Sequence, residues 1–227
     1  MALVIWLLAA ASLGFGMLNW LAGRAGKSFW RLATRILAAL CFVLVGFLCL
    51  ARPSLGLNRL FYPILILPGL LASLLGDLAL SASDAQPRHR ERMHFANWAF
   101  LAAQGLYALA IFFAGGPSLG PLVLALGLYI AFLLFYSHLK ADFEPMKLRI
   151  QLLAGGAALL AGSAAFAPQA GGLLGALLLL AGFSLPLSFA ALGYALLGRR
   201  HTAAALTVHA FCYYGAQVLL ALSLWLR

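Results

Sequence analysis

The sequence predicts an all-α polytopic membrane protein with about eight transmembrane helices, and three observations carry that prediction. Hydrophobic residues make up 65% of the 227 residues and charged residues only 9%, where a soluble domain carries about a quarter charged residues. The mean hydropathy is +1.02. The apolar residues fall in runs of about 20, the length of a membrane helix, and not in the short alternating segments of a membrane barrel. The chain reads as a single integral membrane domain, residues 1–227.

The first run, roughly 2–22, has no basic leading segment, and Leu18 to Trp20 follow its small residues. It is expected to be a retained helix and not a signal peptide. The second, roughly 32–51, carries Arg35 near its start. The third, roughly 61–81, contains Pro68-Gly69 and ends in LLASLLGDLAL, which holds Asp77. The fourth, roughly 95–115, carries Asn97, Gln104 and Tyr107. The fifth, roughly 120–139, ends in Tyr136, Ser137 and His138, and the sixth covers roughly 147–167. The seventh, roughly 170–197, is long, holds Pro186 and Ser188, and is the least sharply bounded. The eighth, roughly 203–226, carries His209, Tyr213 and Gln217. Small residues, as in GGLLG near the start of the seventh run, suit close helix packing; no strand precedes them, so a phosphate-cradling loop fails its own context. A weak repeat of four helices plus four, about 1–118 and 119–227, would relate parallel halves.

Charge sets the expected orientation. The formal net charge is +10. Arg24, Lys27, Arg31, Arg35, Arg88, Arg90, Arg92, Lys140, Lys147, Arg149, Arg199 and Arg200 flank the ends of helices 1, 3, 5 and 7, while only Arg52, Arg59 and Arg227 lie on the other side. Basic loops stay cytoplasmic, so both termini are expected on the non-cytoplasmic side. The compact loops suit a bacterial inner membrane. The basic face fits anionic lipid head groups and is not a nucleic-acid signal. Cys41, Cys49 and Cys212 show neither disulfide nor zinc spacing.

Asp77 is the most informative residue. It is the only acidic residue inside an apolar run, and an intramembrane carboxyl group marks proton chemistry, ion passage or substrate contact by default; the bland alternative is a helix-end carboxyl paired at the interface. Residues three, four or seven apart share a helix face. By that spacing Ser73, Asp77 and Ser81 form one stripe, His209, Tyr213 and Gln217 a second, and Asn97, Gln104 and Tyr107 a third. In the expected orientation Arg35, Asn97, His138 and His209 share the cytoplasmic layer with Asp77. Polar groups facing lipid are penalised, so a polar cavity is expected there. Taken singly, Gln104 and Gln217 also fit interhelical bonding worth about 0.6 kcal/mol each, and His209 fits a neutral donor to a carbonyl. No metal site is expected, since Asp77, His138 and His209 lack paired ligand spacing. No nucleophile-elbow motif surrounds any Ser.

LLASLLGDLAL, then ANWAFLAAQGLYALAIFF after a basic loop, then FCYYGAQVLLALS near the C-terminus, resemble the YhhN-type lysoplasmalogenase family across the whole chain. The resemblance implies eight helices and hydrolysis of the vinyl ether bond of lysoplasmalogens to a fatty aldehyde and a glycerophospho head group. It implies a lysophospholipid substrate, contact with membrane lipid and no cofactor. It places Asp77 on the family's helix-3 aspartate and Arg35 on its basic helix-2 position. Gln104 falls where a His is common, Tyr107 on the Tyr that follows, and Tyr213 and Gln217 on the helix-8 motif. The chain departs from the pattern at Ser188-Phe189, where many members carry a Ser-Asp pair, and near Arg149, where they carry a Tyr. Vinyl ether hydrolysis begins with proton delivery to carbon, which suits Asp77 as the acid. Asn97, Gln104, His209 and Tyr213 are then expected around water and the glycerol hydroxyl, and Arg35 on the phosphate. A carboxyl in a low-dielectric cavity favours the acid role, a direct contact with Arg35 the base or cation-stabilising role, and the residues leave both open. Two other classes stay open at this stage. One is a lipid or proton-coupled carrier with helices broken at Pro68 and Pro186. The other is a non-catalytic scaffold.

Overall fold

The computed structural model describes residues 1–51, 61–83, 89–138, 147–197 and 203–226. Among these residues eight helices run in order: α1 (Ala2–Arg24), α2 (Ser28–Leu50), α3 (Phe61–Ser83), α4 (His89–Gly115), α5 (Gly120–His138), α6 (Lys147–Ala165), α7 (Gly172–Leu197) and α8 (Ala203–Ser223), with a short 3-10 turn, Ala167–Ala170, between α6 and α7. There is no strand among the described residues. Among the described residues six helices are long and apolar enough to cross a membrane; α5 and α6 hold shorter apolar stretches, Gly120–Leu134 and Ile150–Ala165. The protein is therefore an integral membrane protein with an all-α fold. The basic loop residues Arg52, Arg59, Arg88, Lys140, Arg199, Arg200 and Arg227 lie outside the described residues, as do the side chains of Arg90, Tyr136, His138, Lys147 and Arg149.

The helix starts correct two boundaries. Helix α2 begins at Ser28 and α4 at His89, each several residues before its apolar run. Apolar runs mark only the lipid-spanning part of a helix, and helix geometry continues into the polar interface. Pro68 and Pro186 both lie inside uninterrupted helices, so the breaks a carrier reading expects are not formed at these prolines.

Seven helices close a ring in the order α1, α2, α3, α4, α6, α7, α8, with α8 also touching α2 and α3 and α5 packing on α6. The inner faces bury Phe42, Ile66, Leu70, Tyr107, Ile111, Leu178, Leu185 and Leu220 almost completely. The outer faces expose large apolar side chains such as Trp6, Leu71, Val123, Leu126 and Leu180, because lipid rather than water is their solvent. Without a hydrophobic drive between helices, association relies on close packing through small residues. Gly69 and Gly76 of α3 do this against α4. A Cβ at Gly69 would strike the Tyr107 ring, and one at Gly76 the Phe100 ring. These two contacts lock the antiparallel register of α3 and α4. They set Asp77 level with the Ala99–Phe100 segment of α4.

Candidate functional site

Two polar stripes face each other across the α3–α8 seam. The Tyr213 hydroxyl donates to Asp77 Oδ2 at 2.9 Å. One turn deeper, Gln217 Nε2 donates to Ser73 Oγ at 2.9 Å. Each pair is four residues from the other on its own helix, so the helices form two successive rungs of an antiparallel ladder. Tyr107 of α4 closes the deeper rung into a ring: its hydroxyl donates to Gln217 Oε1 at 2.7 Å and lies 3.2 Å from Ser73 Oγ. With Ser73 donating to Tyr107, each of the three groups gives one hydrogen bond and accepts one. All three are at most 1% exposed, so a lost partner would leave a polar atom stranded in an apolar interior. This ring pins three helices at the level just below Asp77.

The Asp77 carboxyl is itself 4% exposed. Phe100 and Phe189 stand edge-to-face with the Tyr213 ring, at centroid distances of 6.0 and 6.4 Å, and 5.7 Å from each other. The carboxyl's phenol partner is thus boxed by aromatic carbon. Phe189, next to Ser188 on α7, supplies one of these rings. On the other side, half-buried Arg35 acts through its charge on both the Tyr214 hydroxyl and Asp77. Tyr214 in turn packs where a Cβ on Gly16 of α1 would be. His209 lies one turn from Tyr213 towards the start of α8 and stacks on it at 5.8 Å and 26°. Its Nδ1 is 2.8 Å from Ser188 Oγ and 3.1 Å from the Ser188 carbonyl, so Ser188 orients the ring and leaves Nε2 for another partner.

Of the residues singled out in the sequence, Asp77, Arg35, Tyr107, Ser188, His209, Tyr213 and Gln217 come together. Asn97 and Gln104 do not. Asn97 lines a groove between α4 and α6 with Trp98, Leu101, Leu152 and Leu153. Gln104 lies against Gly156 of α6, and neither of its amide atoms has a partner. The expected stripe of Asn97, Gln104 and Tyr107 is split because α4 packs on both α3 and α6. A small rotation around its axis moves a side chain from the α3 side to the α6 side. Tyr214 was missed by periodicity. It neighbours Tyr213 in FCYYGAQ, and only the third dimension brings it under the charge of Arg35. Among the described residues no group of three or more His, Cys, Asp or Glu side chains converges to hold a metal.

The model of the YhhN family matches residues 30–224, from α2 to the end of α8. The chain belongs to the YhhN family. No curated protein and no solved structure shows a significant match. The matched span contains both rungs of the ladder, Arg35 and the Ser188–His209 pair, so the polar centre of this YhhN protein lies wholly within the family's shared region.

Proposed function

We propose that this YhhN-family protein hydrolyses the vinyl ether bond of lysoplasmalogens, with Asp77 as acid and base. The observation that carries the reading is a buried intramembrane carboxyl with one oxygen held by Tyr213 and the positive charge of Arg35 nearby. Asp77 lies one and a half turns from the end of α3, about 9 Å along the axis. That is the depth of the first chain atoms of a lipid whose head group sits at the interface.

The chemistry uses Asp77 twice, first as acid and then as base. Asp77 gives its proton to the alkenyl carbon beta to the ether oxygen, and the adjacent carbon becomes an oxocarbenium ion. Water adds to that carbon and returns a proton to the carboxylate. The hemiacetal collapses to a fatty aldehyde and the glycerol alcohol, so the net reaction consumes one water. The Tyr213 hydroxyl bond and the Arg35 charge both stabilise the carboxylate that exists between the two proton transfers. The lipid phosphate pairs with Arg35, which offsets the repulsion that a lone guanidinium would exert on the cationic intermediate.

The test is aldehyde release by the purified protein from a lysoplasmalogen, with the saturated 1-O-alkyl and the 1-acyl lysophospholipids beside it. The reading expects aldehyde from the alkenyl lipid and no cleavage of the alkyl ether, which cannot be protonated at carbon. Absence of aldehyde from a folded protein that binds all three lipids would overturn it and favour a lipid carrier.

A further inference from the structure

The α3–α8 ladder has a third position that the protein does not close. Asp77 meets Tyr213 and Ser73 meets Gln217; the same antiparallel register puts Ser81 level with His209. Ser81 is 3% exposed, yet its Oγ has no hydrogen-bond partner. A buried hydroxyl without a partner is rare and costly in apolar surroundings. Its counterpart His209, a half-buried residue, is turned to Ser188 through Nδ1, which leaves Nε2 free of that bond. This open rung lies one turn, about 6 Å, from the Asp77 rung, on the side where α3 ends and α8 begins. Arg31 and Arg35 of α2 both act on His209 through their charges.

We propose that the Ser81–His209 rung binds the free glycerol hydroxyl of a single-chain phospholipid. The inference rests on the vinyl ether reading for its choice of lipid. A hydroxyl is the complement the rung calls for, because it gives one hydrogen bond and accepts others, and so serves Ser81 Oγ and His209 Nε2 together. Along the seam the glycerol hydroxyl falls at Ser81 and His209, the ether at Asp77 and the chain beyond, with Arg31 and Arg35 of α2 beside them for the phosphate. An acyl group on that hydroxyl would remove its proton and add bulk between α3 and α8, so the rung selects the lyso form. Ser188 is a positioning residue, since it acts through the His209 ring.

Binding of a saturated 1-O-alkyl lysophospholipid and of its 2-deoxy analogue to the detergent-solubilised protein tests this. Neither lipid can be cleaved by the proposed reaction, so the result is separate from hydrolysis. The parent is expected to bind the hydroxyl lipid at least about tenfold more tightly than the deoxy lipid. In Ser81→Ala that ratio falls towards one, with affinity for the deoxy lipid unchanged. Soluble glycerol 3-phosphate serves as competitor; selective binding by it alone would show that the hydroxyl is read on a free head group and would overturn the lipid assignment. Equal affinities in the parent, or an equal loss on both lipids in Ser81→Ala, would overturn the role of the rung. The second outcome would mark Ser81 as structural. Aldehyde release without hydroxyl selectivity would leave the vinyl ether reading standing and the rung refuted.

Discussion

At the scale of single residues, the Tyr213 hydroxyl is the group whose loss should be most specific. It donates to Asp77 Oδ2, and a hydrogen bond to an ionised group is worth about 1.5–3 kcal/mol. Tyr213→Phe keeps the ring and its edge-to-face contacts with Phe100 and Phe189. It should lower kcat for aldehyde release about tenfold to a hundredfold, at the barrier change per decade of about 1.4 kcal/mol, with KM little changed. A variant with unchanged kcat would show that the phenol only packs. The residues of this ladder were legible because helix periodicity grouped them. Ser73, Asp77 and Ser81 on one helix and His209, Tyr213 and Gln217 on another are both four-residue stripes, and the structure turns the two stripes face to face. What the spacing does not contain is the pairing itself. It does not say that Ser188 takes the His209 ring, or that Phe189 closes over Tyr213.

At the scale of the element, α4 shows where periodicity stops informing. Phe100 and Tyr107 lie against α3 at Gly76 and Gly69, while Gln104, one turn from Phe100, goes to α6. The outer face of a membrane helix is apolar, as Phe95, Trp98, Leu109 and Phe113 are here, so no polar face reveals its rotation, and a stripe of Asn97, Gln104 and Tyr107 reads as one face when it is two. The consequence is measurable. Gln104 is 1% exposed and both amide atoms lack partners, so it carries the cost of buried polar groups without a return. Gln104→Leu, similar in size, should stabilise the protein by about 1 kcal/mol, read as a rise in the thermal midpoint in detergent. A fall would show that the amide is engaged with a partner in the membrane. The helix ends tell a similar story. The apolar runs located all eight helices, but α2 and α4 extend into polar sequence that hydrophobicity does not mark.

At the scale of the molecule, a ring of helices places its polar groups inside and its large apolar side chains outside, and the Asp77 ladder lies towards the end of the bundle where α1 ends and α2 begins. The basic residues Arg24, Lys27, Arg31 and Arg35 cluster at that same end, so the positive-inside rule predicts that the ladder lies in the cytoplasmic leaflet. Single cysteines placed at Met1 and Lys27 in a background lacking Cys41, Cys49 and Cys212 should label from opposite sides of sealed vesicles, with Lys27 on the cytoplasmic side. Labelling of both from one side would place the ladder in the wrong leaflet or break the α1 span. The fold class and the central carboxyl follow from composition and one misplaced charge. The unclosed rung at Ser81 does not, since it depends on which neighbour a buried hydroxyl fails to meet. The central claim is that Asp77 carries the proton in vinyl ether cleavage. Aldehyde release from a lysoplasmalogen by purified Asp77→Asn, set beside the parent protein at matched folding and lipid binding, tests it most directly. The account predicts aldehyde from the parent and a loss of at least about a thousandfold in the variant, the scale of a lost acid–base group; an Asp77→Asn protein that still releases aldehyde at the parent rate would contradict it.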